Sequence, residues 1–310
     1  MKILLTGASG FIGRAVHPQL VARGHEVRCA GRNVAARDVW PSYAVVGDIN
    51  GDTQWGAALQ GIDVVVHVAG CAHVFDRLAT SRTFEEVNVQ GSVNLAIQAT
   101  AAGVRRFVFI SSIGVNGVES LRPFTEADAP NPSEPYAASK LSAERGLFEI
   151  AASSGMEVVV IRPPLVYGPD APGNFGKLVN AVRRGLPLPL GAVRNQRTLV
   201  GRDNLADLIA CCVDHPAAAN EIFLAGDSRD LSTTELLRLI GAALHRPARL
   251  VSVPVPILER MAALAGRRQT VRKLCGNLVV DTGKARRLLG WRAPFTVEEG
   301  LRQAVGGASS

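Results

Sequence analysis

A chain of 310 residues, 47% of them hydrophobic, can bury one large core or two modest ones. The 34 Lys and Arg against 27 Asp and Glu give +7, which favours anionic partners such as nucleotides, but the basic residues are dispersed and aromatics make up 5% of the chain, so nucleic acid is not expected. The 5 cysteines lack any CxxC spacing, which argues against a disulfide framework or a zinc site, and no apolar run could span a bilayer; a cytoplasmic protein without a structural metal is expected.

In chain order, "KILLTG" reads as a strand buried on both faces, followed by a glycine-rich turn and a helix from about Phe11 to Arg23. "HEVRCAGR", "YAVVGDI" and "DVVVHVAG" are the next strands. A helix over about Phe84 to Ala102 leads to "RRFVFISS", and a second over Tyr136 to Ala152 leads to "MEVVVIRP", stopped by Pro163 and Pro164. This alternation predicts an α/β fold, a doubly wound parallel sheet of the Rossmann kind, over 1–167. Beyond Gly168 the texture becomes loops rich in proline and glycine between short helices. It predicts a smaller, interleaved substrate lobe over 168–310, with a strand near 221–226 returning to the main sheet.

The turn "GASGFIG" places Gly7, Gly10 and Gly13, with Phe11 and Ile12 between them, at the mouth of the first helix, where backbone N–H groups can receive a pyrophosphate. The second strand closes on Gly31 and Arg32, with no acidic residue for a ribose 2′-hydroxyl; the arginine suits a 2′-phosphate and favours NADP over NAD. Asp48 and Ile49 are placed to flank the adenine, and Ala69 and Gly70 to let the cofactor backbone pass close by. His67 and His73 lack a third metal ligand at a suitable spacing, so no metal site is read from them.

Tyr136 and Lys140 stand four residues apart, one turn along a helix face. A nearby ammonium would lower the phenol from about 10 by roughly two to three pH units, toward the range where an acid/base catalyst works best. Ser111 and Ser112 end the fifth strand, where ligands bind in such sheets.

With "TGASGFIG", "GDI", "HVAG", "NVQGSVNL", "FISSIGVNG", "YAASK", "IRPPLVYGP", "RTLVGRDNLADLI" and "LLGW" in order along almost its whole length, the chain resembles the extended short-chain dehydrogenase/reductase family, in its nucleotide-sugar epimerase and dehydratase branch. The resemblance implies Ser112, Tyr136 and Lys140 as catalytic residues, and Lys140 also as a holder of the nicotinamide ribose. It implies Asn88, Ser111 and Pro163 beside the cofactor, and Ser112, Asn174 and Arg197 on a UDP-sugar. It further implies a homodimer through the helices over 84–102 and 136–152.

Dehydratases of this branch carry an acidic residue after the strand-five hydroxyl; Ile113 and Gly114 stand here, which disfavours elimination. Arg32, and Asn116 where 4-epimerases resembling this chain have tyrosine, favour reduction of a 4-keto-6-deoxy-hexosamine in surface-polysaccharide synthesis over UDP-sugar 4-epimerisation with captive NAD. A non-catalytic NADP-binding sensor is the remaining alternative, disfavoured because Tyr136 and Lys140 are both kept. The apolar-then-basic stretch 257–276 is expected to form two substrate-lobe helices rather than a membrane-surface helix.

Overall fold

The computed structural model describes residues 1–72, 80–264, 266 and 268–306. Strand β1 (Lys2–Thr6) is followed by helix α1 (Gly13–Ala22), β2 (Glu26–Gly31), β3 (Tyr43–Val45), the single turn α2 (Gly56–Leu59) and β4 (Val64–His67). Helix α3 (Thr80–Phe84), a wide π-helical turn over Glu85–Gln90 and α4 (Gly91–Ala101) run on without a break and return the chain to β5 (Arg106–Ile110). Helix α5 (Pro135–Ser154) opens on a proline, whose missing N–H costs nothing in a first turn, and stops at Gly155 with φ 76°. It leads to β6 (Glu157–Arg162).

The remainder comprises β7 (Leu165–Tyr167), α6 (Gly173–Arg183), β8 (Leu199–Gly201), α7 (Arg202–Asp214), β9 (Ile222–Leu224), α8 (Thr233–Ala243), α9 (Val255–Leu264), α10 (Arg268–Cys275), α11 (Gly283–Leu289) and α12 (Val297–Gly306). The stretch 257–276 therefore falls on two helices, α9 and α10.

Seven strands among the described residues form one parallel sheet in the order β3-β2-β1-β4-β5-β6-β9. The order reverses between β1 and β4, which puts a crevice at their carboxyl ends. Side chains alternate across the sheet. Ile3, Leu5, Val66 and Val108 pack on one side under α1 and α7, whereas Leu4, Val65, Phe107 and Phe109 pack on the other under α4 and α5. Burying both faces is what makes these strands near-continuous apolar runs.

A separate apolar cluster, including Phe175, Val179, Leu236, Ile240 and Leu301, supports the short parallel pair β7–β8 and the helices around it. The sheet layers draw on both sides of the 167/168 division, because β9 pairs with β6 while α7 and α11 pack over one face.

Candidate active site

At the end of β1 the chain turns on Gly7, whose φ of 74° an L side chain rarely adopts. A Cβ on Gly7 would lie 2.7 Å from the Ala69 nitrogen, and one on Gly13 only 2.1 Å from the Gly7 carbonyl oxygen, so turn, helix and β4 meet with no space for side chains. Gly10 closes the turn by donating to Gly7 O at 2.9 Å. Ile12 caps α1 without a side-chain hydrogen bond; Arg14 N and Ala15 N are taken by Gly10 O and Ile12 O, so what α1 offers a ligand here is its positive end. The ring of Phe11, beside this turn, lies 5.7 Å from the Arg202 guanidinium.

Beyond β2, Arg32 pairs with Asp48 at 3.2 Å, both side chains 77% exposed. Sequence reading left this arginine to a 2′-phosphate and this aspartate to the adenine; the fold joins them, because β2 and β3 end side by side. Such an exposed pair is worth about 1 kcal/mol or less, so a ligand phosphate can displace it cheaply. The space at position 31 is taken by the Tyr43 hydroxyl, 2.6 Å from where a Cβ would sit. Ile49 packs under the start of α4, where a Cβ on Gly91 would come within 2.6 Å of its Cγ2.

Asn88 lies in the π-helical turn, fully buried. Its Oδ1 accepts from Cys71 N at 2.8 Å, and its Nδ2 donates to Cys71 O at 3.0 Å and to Ser139 Oγ at 3.1 Å. It thereby pins the loop after β4 to α5. Gly70 gives this corner its clearance, since a Cβ there would stand 3.2 Å from Asn88 Oδ1 and 3.6 Å from Lys140 Nζ. His67 is buried between the hydroxyls of Thr6 (2.7 Å) and Ser92 (3.0 Å), and burial, then the charge on Lys140, push its pKa down to about 3. It is a neutral core histidine; His73 lies outside the described residues.

Tyr136 and Lys140 occupy successive turns of α5. The Tyr136 ring meets Phe84 edge-on at 5.8 Å. The Lys140 side chain is buried, its Nζ 4.0 Å from the Phe109 ring centroid and, among the described residues, without a hydrogen-bond acceptor. A buried lysine beside the strand ends, a glycine turn against β4 and the positive end of α1 fit a nicotinamide dinucleotide along this edge.

The expected lowering of the phenol is corrected by the structure. Burial, and then Cys71, push Tyr136 up to about 12, and burial pushes Lys140 down to about 7 against the pull of Glu144. Both groups have lost water, and burial of the charged form is the larger cause in each. Tyr136 is thus a protonated phenol at neutral pH.

Ser112 caps the turn Ile113–Val115 by accepting from Gly114 N at 3.1 Å. Ser112, Tyr136, Asn174 and Arg197 line one cavity of about 260 Å³, walled by aliphatic side chains including Ile113, Leu165, Leu178 and Leu278. Asn174 comes from the first turn of α6. Arg197 donates to Gly276 O at 3.0 Å, and burial lowers its pKa. Pro163 is buried, its carbonyl accepting from Ile113 N at 2.9 Å, while Pro164 reaches the cavity wall.

Ser111, expected at the cofactor, points the other way. Successive side chains at a strand end face opposite sides, so with Ser112 on the cavity the Ser111 hydroxyl donates to buried Glu144. Sequence reasoning also passed over Glu134 and Lys273, which line the cavity and pair at 2.5 Å from opposite halves of the chain. Glu144, four residues past Lys140, carried a signal in its spacing; the pairing of Lys273 carried none.

Residues 3–226 match the NAD dependent epimerase/dehydratase family. The chain belongs to this family. It is an enzyme of the extended short-chain dehydrogenase/reductase type. It is 43% identical, over 310 aligned residues, to the UDP-glucose 4-epimerase of Vibrio cholerae, covering 98% of this chain and 94% of that protein. Among solved structures, the Thermus thermophilus UDP-glucose 4-epimerase in complex with NAD is 26% identical with a TM-score of 0.79, over 99% of this chain and 98% of that one. The Bacillus cereus UDP-glucuronic acid 4-epimerase in complex with NAD, 20% identical with a TM-score of 0.81 over 99% and 98% of the two chains, shows the same fold.

Proposed function

We propose that this family member catalyses 4-epimerisation of a nucleotide-activated sugar, with UDP-hexoses as the first substrates to try. The observation that carries this reading over net reduction is the full-length likeness to a UDP-glucose 4-epimerase. It reverses the order in which sequence reasoning placed the two reactions. The cavity is compatible with it: Ser112 and Tyr136 both line it, Ile113 and Gly114 offer no carboxylate after the strand-five hydroxyl for elimination, and the lining carboxylate Glu134 is paired with Lys273.

A bound nicotinamide would supply the chemistry of removing hydride from C4 and restoring it to the other face of the 4-keto sugar. Tyr136 exchanges the O4 proton; its raised pKa keeps the phenol protonated at rest, so it holds the proton needed in the return step and is a strong base once it has given that proton up. Ser112 hydrogen-bonds the same oxygen and holds it within reach of the phenol. Lys140 holds ribose hydroxyls with its otherwise unpartnered ammonium. Asn174 and Arg197 orient the sugar nucleotide and its diphosphate.

A second reading, reduction of a 4-keto sugar by NADPH, is favoured by Arg32 and by Tyr43 filling the place where a side chain at position 31 would stand. Denaturing the purified protein and identifying the nucleotide released separates the two. Stoichiometric NAD supports the epimerase; an empty protein that binds NADPH more tightly than NADH supports the reductase. In either case Y136F lowers turnover by about 10²- to 10⁴-fold while nucleotide binding persists; unchanged turnover would remove Tyr136 from the mechanism.

We also propose a homodimer in which α4 and α5 pair with their copies, an arrangement in which Ile97, 54% exposed on α4, becomes covered. Light scattering on I97E, expected to be monomeric, checks it.

A further inference from the structure

Directly behind the catalytic residues stands a carboxylate that the reaction does not consume. Glu144 and Lys140 share a face of α5 on successive turns, and their residues are 2% and 3% exposed. Glu144 Oε1 accepts from the Ser111 hydroxyl and from Arg162 Nε at 3.0 Å, and Oε2 accepts from Arg162 Nη2 at 2.5 Å. Arg162 also donates through Nη1 to Asn116 Oδ1 at 2.9 Å.

Each partner adjoins a residue of the site. Ser111 immediately precedes Ser112, Arg162 precedes Pro163, and Asn116 closes the turn that Ser112 opens. One carboxylate therefore ties α5, the end of β5 and the end of β6 to each other at the catalytic end. A buried ion pair is a poor device for stability alone, since packed apolar side chains of similar volume would hold the three elements as well or better. Its charge needs another reason.

The surroundings of Lys140 supply one. Tyr136 and Glu144 face it from its own helix, the Phe109 ring from β5 and neutral His67 from β4. Asn88 and Cys71 form the corner beside Gly70, and Arg162 lies behind Glu144 on β6. Within this set Glu144 is what works against the burial that strips Lys140 of its proton.

We propose that Glu144 is a positioning residue with two effects. It keeps Lys140 charged, and through Ser111 and Arg162 it holds Ser112 in register with Tyr136. The inference rests on Tyr136 and Lys140 being the acid/base pair, but its first test does not require turnover.

That test compares unfolding stability from pH 5 to pH 11 in wild type, K140M, E144Q and E144Q/K140M. The advantage of K140M over its parent is constant while Lys140 is charged in both folded and unfolded states, and shrinks as pH rises through the folded-state pKa. In the wild-type background the plateau should end near pH 7; in the E144Q background it should end about one pH unit lower. An unchanged plateau, with E144Q merely less stable, overturns the electrostatic effect.

The second test uses S111A, which leaves the ion pair intact, with UDP-glucose as the probe. A kcat reduced about tenfold at unchanged KM, with the plateau still near pH 7, supports positioning through Ser111; wild-type kcat overturns it. If E144Q does not fold, E144D carries the first test: a shorter carboxylate that restores the wild-type plateau supports the charge effect, and a lowered plateau overturns it. Wild-type protein inert toward UDP-glucose and other UDP-hexoses would count against the proposed reaction, while the stability titration would still decide the role of Glu144.

Discussion

Two buried carboxylates tie elements of this molecule together, and they are partnered differently. Glu144, in the sheet half, is met by a full cation, Arg162, as well as a hydroxyl. Asp227, where the substrate lobe joins the sheet, is met by dipoles: the Tyr167 hydroxyl at 2.6 Å, Gly201 N at 3.0 Å and Asn204 Nδ2 at 2.7 Å. Burial pushes the Asp227 pKa up against the pull of those donors. The contrast teaches where charge is kept. Beside Lys140, which must hold a charge to do its work, the carboxylate comes with a counterion; at a joint that only fixes loops, neutral donors suffice.

The sharpest way to break this comparison is to remove the counterion. R162M leaves Glu144 buried and uncompensated, and should lower unfolding stability by about 3 to 5 kcal/mol in urea titrations. A loss below about 1 kcal/mol would mean that Glu144 is satisfied without a cation.

Removing the charge that Glu144 serves should act in the opposite direction. The folded-state pKa of Lys140 lies near 7, below the ordinary lysine value of 10.5, so folding bears the cost of a buried ammonium in full below about pH 7. The unfolded chain binds the proton more tightly, so stability falls as pH drops from the higher value and is lowest below the folded-state one, and the native state gains relative to a charged lysine as the proton leaves. K140M should therefore be about 2 to 4 kcal/mol more stable than wild type at about pH 6, the gain fading as the buried ammonium loses its proton, while turnover is lost. Thermal unfolding across that range checks it; a gain independent of pH would show that Lys140 is not held as a buried charge.

The smallest effect belongs to the joint. Y167F removes one neutral donor from Asp227 and should cost about 1 kcal/mol, leaving the kinetics with UDP-glucose unchanged. A cost equal to that of R162M would erase the distinction between the two carboxylates.

Much of the cofactor edge was legible because its signals are local. Gly7, Gly10 and Gly13 fall within one turn, and the apolar runs from "KILLTG" to "EIFLAGD" correspond to the seven strands of the parallel sheet. Tyr136 and Lys140 stand one helical turn apart wherever that helix lies. The substrate wall was less legible, since Asn174, Arg197, Lys273 and Leu278 come from segments that meet only after folding. Motif matching singled out Asn174 and Arg197, and periodicity neither of them.

What the sequence determined by itself was the type and order of the elements and which residues carry reactive groups, because hydrophobic period, glycine placement and helical spacing act over a few neighbours. What only the tertiary structure decided was the state of those groups. Arg32 found Asp48, Ser111 turned to Glu144 and away from the cofactor, and Tyr136 rose to about 12 where spacing alone had suggested a fall. Burial and partner choice depend on residues that lie far away in the chain, and desolvation is a property of the assembled interior.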